Sequence, residues 1–247
     1  MRLCFEGIEN LRDLGGIRVE GGAVKDGMLL RSARLSAATE EDIAALCALN
    51  LRHIIDFRGL AECKEHPDRP VSGAQYHHFS ALRPAAGRIS AKIRSLDASA
   101  IGERFKSIYR YMAEGRNAAR AYTEFFEVLG ISTGAVLFHC TQGKDRTGIA
   151  AMLLLCALGA DEQTIREEYF LSNIAMQKVF EKMRDSGISE ARLLAAEQYL
   201  FVREETLDVY FETMREEHGG MMGYLRDIVG LRDEDFARLR EKYVIAD

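Results

Sequence analysis

Residues 136–159 read VLFHCTQGKDRTGIAAMLLLCALG: an apolar run, a short polar loop with two glycines, and a longer apolar run. The first run has the compact apolar character of a buried strand, and the second is long enough for a helix starting near Thr147. A strand that feeds a helix through so tight a loop points to an α/β core. The loop, residues 140–148, has a clear electrostatic character. Successive backbone N–H groups turn inward, and the positive end of a helix adds to them, a cradle for a tetrahedral anion. Gly143 and Gly148 permit the curvature and the close approach, and Arg146 can grip two phosphate oxygens as a fork.

The rest of the chain fits around this unit. GIRVEGGAVKDGMLLRS, with Gly21-Gly22 and Asp26-Gly27, reads as a hairpin region. TEEDIAALCALN has acids in the first turn of a helix, and RHIIDF is a short strand ending at Asp56-Phe57. A second short strand is expected at 75–80, and 90–129 is mainly helical. After the loop, helical periodicity runs to the end with breaks at Ser186-Gly187, Gly219-Gly220 and Gly230. Strand–helix alternation first and helices later predict a single α/β domain over 1–247 with a carboxy-terminal helical layer.

Composition bounds the function. The chain of 247 residues is 47% hydrophobic and 29% charged, as expected of a globular protein. Its net charge of −5 disfavours a nucleic-acid partner, so attraction for anions must be local. The five cysteines are scattered and form no Cys-x-x-Cys pair, which argues against a disulfide scaffold and structural zinc. MRLCFEGIENLRD carries early charge and no long apolar stretch, and no run approaches a membrane span. A reducing cytoplasm is the expected location, with export that needs no amino-terminal signal left open.

The same field acts on Cys140, because helix N-termini and neighbouring cations favour a thiolate. The expected chemistry is attack by sulfur on phosphorus, giving a cysteinyl-phosphate that water then hydrolyses. Thr147 can donate a hydrogen bond to the sulfur. Backbone N–H groups and Arg146 meet the charge on the phosphoryl oxygens, so no metal or cofactor is called for. Cys-x5-Arg alone is a weak signal, and the chain contains a second copy, Cys63-KEHPD-Arg69. That copy has a proline, no glycine and no preceding apolar strand, so Cys63 is read as structural.

HCTQGKDRTG resembles the phosphate-binding loop of cysteine-dependent phosphatases, in the form found in the atypical bacterial tyrosine phosphatases. ENLRDLGG, DFRGLAE, EEYFLSN and GYLRDIVGLRDEDF are similar to that family's blocks, so the resemblance spans most of the chain. It implies a central sheet flanked by helices, a helical lid at about 175–217, and activity on phosphotyrosine proteins or peptides, extending in some members to phosphoinositides. Thr141, Gln142, Gly143, Lys144, Thr147 and Gly148 become the expected substrate-binding positions, beside the catalytic Cys140 and Arg146.

Breaking a phosphoester also requires a proton for the leaving oxygen. The widespread tyrosine phosphatases take it from a Trp-Pro-Asp loop, and this chain has no tryptophan. Two candidates remain. Asp145 lies in the loop, as in myotubularin-like phosphatases, and ranks first; Asp56 ends the early strand. Lys144 is either a phosphate contact or a solvated charge, and its place in the loop is reminiscent of lipid phosphatases. His139 is expected to fix the thiol, and Asn10, Arg12 and Asp13 to brace the loop. Arg58 could hold acidic partners or substrate, or be a surface charge. His77 and His78 are adjacent on a strand and point to opposite faces, a poor metal pair. For 175–217 amphipathic packing competes with the lid. Two non-phosphatase readings stay open: a catalytically silent phosphate-binding module and a rhodanese-like sulfur carrier.

Overall fold

The computed structural model describes residues 5–82 and 98–247. Its core is a five-stranded sheet in the order β1-β4-β7-β5-β6, formed by Arg12–Asp13, Leu29–Ser32, Ala135–His139, Leu51–Asp56 and Gln75–His78. β4, β7, β5 and β6 are parallel, and β1 closes one edge antiparallel to β4. Arg18–Val19 (β2) and Gly22–Val24 (β3) form the expected hairpin and pair with the carboxy-terminal Val244–Ala246 (β8) in a second, antiparallel sheet.

β7 shows why the apolar run sits at the centre. It is buried along its whole length, and its side chains alternate between two cores. Val136 and Phe138 join the large core on one face, whereas Ala135 and Leu137 join a smaller core on the other. Glu40–Ala48 (α1) covers the smaller core, with Thr39 as its N-cap in a reciprocal pair with Asp42. On the larger face lie Ala98–Glu114 (α3), Arg116–Ile131 (α4) and Asp145–Leu158 (α5). The short Leu60–Glu65 helix (α2) follows β5. Residues 90–97 of the expected helical stretch 90–129 lie outside the described residues, and the rest is two helices divided at Gly115.

Helix α5 is the apolar run IAAMLLLCAL, and nearly every one of its residues is buried. It lies against β4 and β7 and is covered by Glu162–Phe170 (α6), Met221–Asp227 (α10) and Asp233–Tyr243 (α11). The expected breaks hold: Ser172–Asp185 (α7) ends before Ser186-Gly187, and Glu204–His218 (α9) ends before Gly219-Gly220. Between them is Glu190–Leu200 (α8). α9 packs along α3 and puts Leu207, Tyr210 and Met214 into the large core. α7 and α8 instead share a small core of their own, Met176, Ala196 and Leu200. Among the described residues no helix is long and apolar enough to cross a membrane.

The carboxy terminus locks the layer beneath α5. Lys242 Nζ donates to the carbonyls of Leu129 (3.1 Å), Gly130 (2.6 Å) and Ser132 (2.9 Å), the orphan acceptors at the end of α4. Lys242→Met should lower stability by about 1–3 kcal/mol, since charged hydrogen bonds are lost and their acceptors stay half-covered. A urea titration reads this as a lower midpoint with an unchanged slope. A shift below about 0.5 kcal/mol would mean that water caps this end equally well.

Candidate active site

Parallel pairing brings Ser32, His139 and Asp56 into register at the carboxyl ends of β4, β7 and β5. Open α/β sheets bind ligands at this edge. Cys140 follows β7 and is only 2% exposed. The chain then turns through Gly143, at φ +66°, and α5 begins at Asp145, two residues before the expected start. An acid in the first turn suits the positive helix end, which favours this earlier start. A side chain at Gly143 would meet the carbonyl oxygen of Ser32 at 2.2 Å, so only glycine lets the loop lie on β4.

The carbonyls of the loop are tied outward. Thr141 O accepts from Arg34 N (3.3 Å), Gln142 O from Asn10 Nδ2 (3.0 Å) and Gly143 O from Arg31 Nη2 (2.8 Å). Further round, Lys144 O accepts from the same Arg31 atom (3.4 Å) and Arg146 O from Tyr122 Oη (3.2 Å). The N–H groups of Gln142, Gly143 and Lys144 have no protein partner among the described residues. A loop with satisfied acceptors and unsatisfied donors at a helix start attracts an anion.

Arg31 is itself anchored. Its Nη1 meets Glu168 Oε2 at 2.5 Å, and Glu168 Oε1 takes Arg12 Nε at 2.7 Å. Arg12 and Arg31 face each other across β1 and β4, so the acid between them relieves a like-charge pair. Burial would raise the Glu168 carboxyl, and the two arginines outweigh it, leaving it below the usual range. For Arg12, burial and then Arg31 lower the guanidinium to about 10. Asn10 reaches the loop directly and Arg12 acts through Glu168 and Arg31, while Asp13 holds the N–H groups of Gly15 and Gly27 instead.

A second buried network lies behind the thiol. Asp56 is fully buried and accepts from Arg58 Nη2 (2.7 Å) and Tyr76 Oη (2.7 Å). Arg58 also holds Asp68 at 2.6 Å and is 1% exposed, so it is a buried structural charge. His139 Nε2 lies 3.2 Å from Asp68, and its Nδ1 faces Cys140 O at 3.3 Å. Burial opposes the imidazolium, but Asp56 and then Asp68 overcome it, so His139 is raised above its ordinary range. Burial pushes the Asp56 carboxyl up, and His139 and Arg58 more than reverse this, holding it far below the usual range. Asp56, Asp68 and His139 come within 4.8 Å of one another, but Arg58 already bridges the two carboxylates, so a cation is in place there. His77 and His78 diverge as expected, to His53 Nδ1 (3.0 Å) and to Arg58 O (2.7 Å).

Arg146 is met from α2. Glu62 takes its Nη1 at 2.7 Å and its Nη2 at 2.9 Å, and accepts from the Thr141 hydroxyl as well. Arg146 Nη2 also donates to Thr141 Oγ1 at 3.2 Å and Nη1 to Phe57 O at 3.5 Å, so Nε is the one nitrogen of the guanidinium without a protein partner among the described residues. Lys144 is buried between the rings of Phe105 and Tyr199, 4.9 and 5.4 Å from their centroids, and donates to Tyr199 O at 2.5 Å. It is therefore not a solvated charge; burial lowers its ammonium below the ordinary range. Asp145 lies 3.6 Å from Lys144 Nζ and accepts from Tyr109 Oη at 2.6 Å. Thr147 Oγ1 is buried without a hydrogen-bond partner among the described residues, so the bond expected to sulfur is not made. The few rotamers open to a β-branched side chain in a first helical turn set where that hydroxyl points. Gly148 lets Tyr169 lie on α5, where a Cβ would meet its ring at 2.5 Å.

The loop opens onto a cavity of about 600 Å³. Thr141 and Gln142 form part of its lining, with Arg34 and Arg192, and Val179, Met183, Ala196 and Leu200 supply apolar wall from α7 and α8. The decoy motif is elsewhere in character. Cys63 Sγ lies 3.3 Å from Asp56 Oδ2, and burial and then that carboxylate push its thiol up to about 12. Arg69 meanwhile caps Ala38 O at 2.8 Å.

A family model described as tyrosine phosphatase family matches residues 3–245. The chain belongs to this family. A Cupriavidus necator protein provisionally named a tyrosine-protein phosphatase is 31% identical over 98% of this chain and 88% of its own length. The triple specificity protein phosphatase PtpB of Mycobacterium tuberculosis is 28% identical over 95% of this chain and 96% of its own. A tyrosine-protein phosphatase of Nostoc commune is 27% identical over 88% of this chain and 74% of its own. The resemblance seen in the sequence, and the α/β fold it implied, both hold.

This phosphatase brings together every expected loop residue from Cys140 to Gly148, and sets Asp56 apart in the network behind them. Glu62, Arg31, Glu168 and Tyr109 were not foreseen. Glu62 and Glu168 both lie in blocks that carried the resemblance, DFRGLAE and EEYFLSN, and a buried arginine in a strand is itself a signal that an acid must be near.

Glu62 gives this phosphatase a defined acid response. Burial raises its carboxyl, and Arg146 outweighs that and holds it at about 2, below its ordinary 4.5. A carboxyl depressed on folding stabilises above its unfolded value and loses that contribution as pH falls through the folded one. Glu62→Gln should therefore reduce stability at neutral pH, by up to ~3 kcal/mol. It should also flatten the decline between pH 4.5 and about 2. Urea midpoints across that range read it directly; parallel acid limbs in the two proteins would refute it.

Proposed function

We propose that the whole chain acts as one metal-independent phosphatase that hydrolyses phosphotyrosine in proteins or peptides through a Cys140 phosphoenzyme. The observation that carries this is the loop itself: tied carbonyls, untied N–H groups, the Arg146 guanidinium beside them with Nε unpaired by protein, and a thiol at the end of β7. The dianion docks on the N–H groups and Arg146, which stabilise the equatorial oxygens as charge shifts. The Cys140 thiolate attacks phosphorus, the P–O bond breaks, and Asp145 gives its proton to the departing phenolate. Water then attacks the cysteinyl-phosphate, yielding its proton to the Asp145 carboxylate and regenerating the thiolate.

Asp145 is favoured over Asp56 as the acid because its side chain keeps 20% exposure beside the loop, whereas Asp56 is sealed under Arg58 and Tyr76. The apolar wall from α7 and α8 suits an aromatic ring and serves as a cover over the site. Lys144, held by Tyr199 and two rings, points away from the role of a second-phosphate clamp, so phosphotyrosine is favoured over phosphoinositides.

Phosphate release from a phosphotyrosine peptide in the presence of a chelator tests this. Wild type should turn over, and Cys140→Ser should lose at least ~10³-fold. Arg146→Lys should lose about 10²-fold or more, because a lysine cannot reproduce the fork. A folded, reduced enzyme with no turnover on the peptide but turnover on phosphoinositides would shift the substrate class. Tight binding of peptide with no turnover on either would make the loop a phosphate clamp.

A further inference from the structure

The aspartate of the loop is held by a tyrosine from a helix distant in sequence. Tyr109, on α3, donates its hydroxyl to Asp145 Oδ1 at 2.6 Å. Its oxygen also touches the hydroxyl of Tyr169 on α6, and the two side chains are 1% and 0% exposed. Burial first, and the Asp145 charge next, push both phenols well above their ordinary range, so both stay neutral. Lys144 Nζ faces the other carboxyl oxygen at 3.6 Å, beyond hydrogen-bond reach. Asp145 is thereby fixed on one oxygen and left with Oδ2 to carry a proton.

We infer that Tyr109 is a positioning residue for proton transfer by Asp145, with Tyr169 holding the Tyr109 hydroxyl in place. This rests on the reading of Asp145 as the general acid. When the P–O bond breaks, the proton leaves Oδ2 for the phenolate oxygen, and a carboxylate remains until water returns a proton in the second step. A hydroxyl donating to Oδ1 binds that carboxylate more strongly than the neutral acid, because hydrogen bonds to ionised acceptors are the stronger ones. Tyr109 therefore both aims the acid and steadies the charge that forms as it acts. The hydroxyl makes no use of the thiol or the cradle, so in kcat/KM, which stops at the phosphoenzyme, its effect is confined to departure of the leaving group.

That confinement supplies the test. A poor leaving group needs the proton and a good one does not, and kcat/KM reports the step in which the phenol departs. Phenyl phosphate and 2,4-dinitrophenyl phosphate serve as the pair of substrates. Tyr109→Phe should lower kcat/KM about tenfold on phenyl phosphate and less than about twofold on the dinitrophenyl ester. Tyr169→Phe should show the same pattern with a smaller loss. Asp145→Asn should show it with a larger one, about 10²–10³-fold on phenyl phosphate. In the Asp145→Asn background, adding Tyr109→Phe should change neither substrate by more than about twofold. Equal losses on both esters in Tyr109→Phe, with Asp145→Asn still selective, would overturn the role of Tyr109 alone. Equal losses in Asp145→Asn would overturn the reading of Asp145 on which it rests.

Discussion

Arg31 and Glu168 set the geometry on which the loop between β7 and α5 depends. Peptide N–H groups cannot be turned to one side of a tight loop unless the carbonyls of the same peptides find donors on the other. Arg31 supplies such a donor to Gly143 and Lys144 from a fully buried position on β4. A lone buried guanidinium would be costly, and Glu168 neutralises it while also drawing in Arg12. The anion site above is thus the outward face of a buried ion triad. Its strength comes from orientation, since the triad offers little net stability over an apolar replacement and a large loss if one member is removed.

The charges around Cys140 fall into two separate sets. Behind it, His139 and Arg58 balance Asp56 and Asp68, with Arg58 also reaching the wall of the cavity. Beside it, Lys144, Arg146, Glu62 and Asp145 retain contact with the cavity or with one another. The two cysteines with the same Cys-x5-Arg spacing show what the separation achieves. Cys63 lies against the Asp56 carboxylate, which with burial suppresses its thiolate. Cys140 instead has His139 beside it, whose ring lies between the Asp56 carboxylate and the Cys140 carbonyl. The two aspartates differ in the same way: Asp56 accepts from Arg58 on both oxygens, and Asp145 accepts from Tyr109 on one.

What could be read from the sequence was what is local. The β7–α5 unit was legible because each segment carries its own period and the loop its own glycines. Lys144 was only half-legible: its place in the loop suggested a phosphate contact or a solvated charge, and only tertiary packing reveals the rings of Phe105 and Tyr199 around it. Tyr109 was invisible for the same reason. It is one of three similar aromatic positions on α3, and nothing in its neighbours marks it as the one that reaches Asp145 across 36 residues. Glu62 and Glu168 were obscured differently, since acids on exposed-looking helices are usually solvated and become partners only when an arginine is brought to them. Helix α5 starts two residues before Thr147 because Asp145 suits a first turn, where its charge meets the positive helix end.

Lys144 is one of several ties between the loop after β7 and the layer above it. α7 and α8 have a small core of their own around Met176, Ala196 and Leu200, and α8 also packs on α3, with Ala195 and Tyr199 against the large core. Tyr199 brings α8 to Lys144, its carbonyl lying in the last turn, where the helix presents its negative end. A buried ammonium seated there donates to that carbonyl and meets the negative end of the helix. The same ammonium lies 3.6 Å from Asp145 Oδ2, so one buried side chain touches both the end of α8 and the first turn of α5. Sequence places these two elements far apart, and a single cation sets the distance between them.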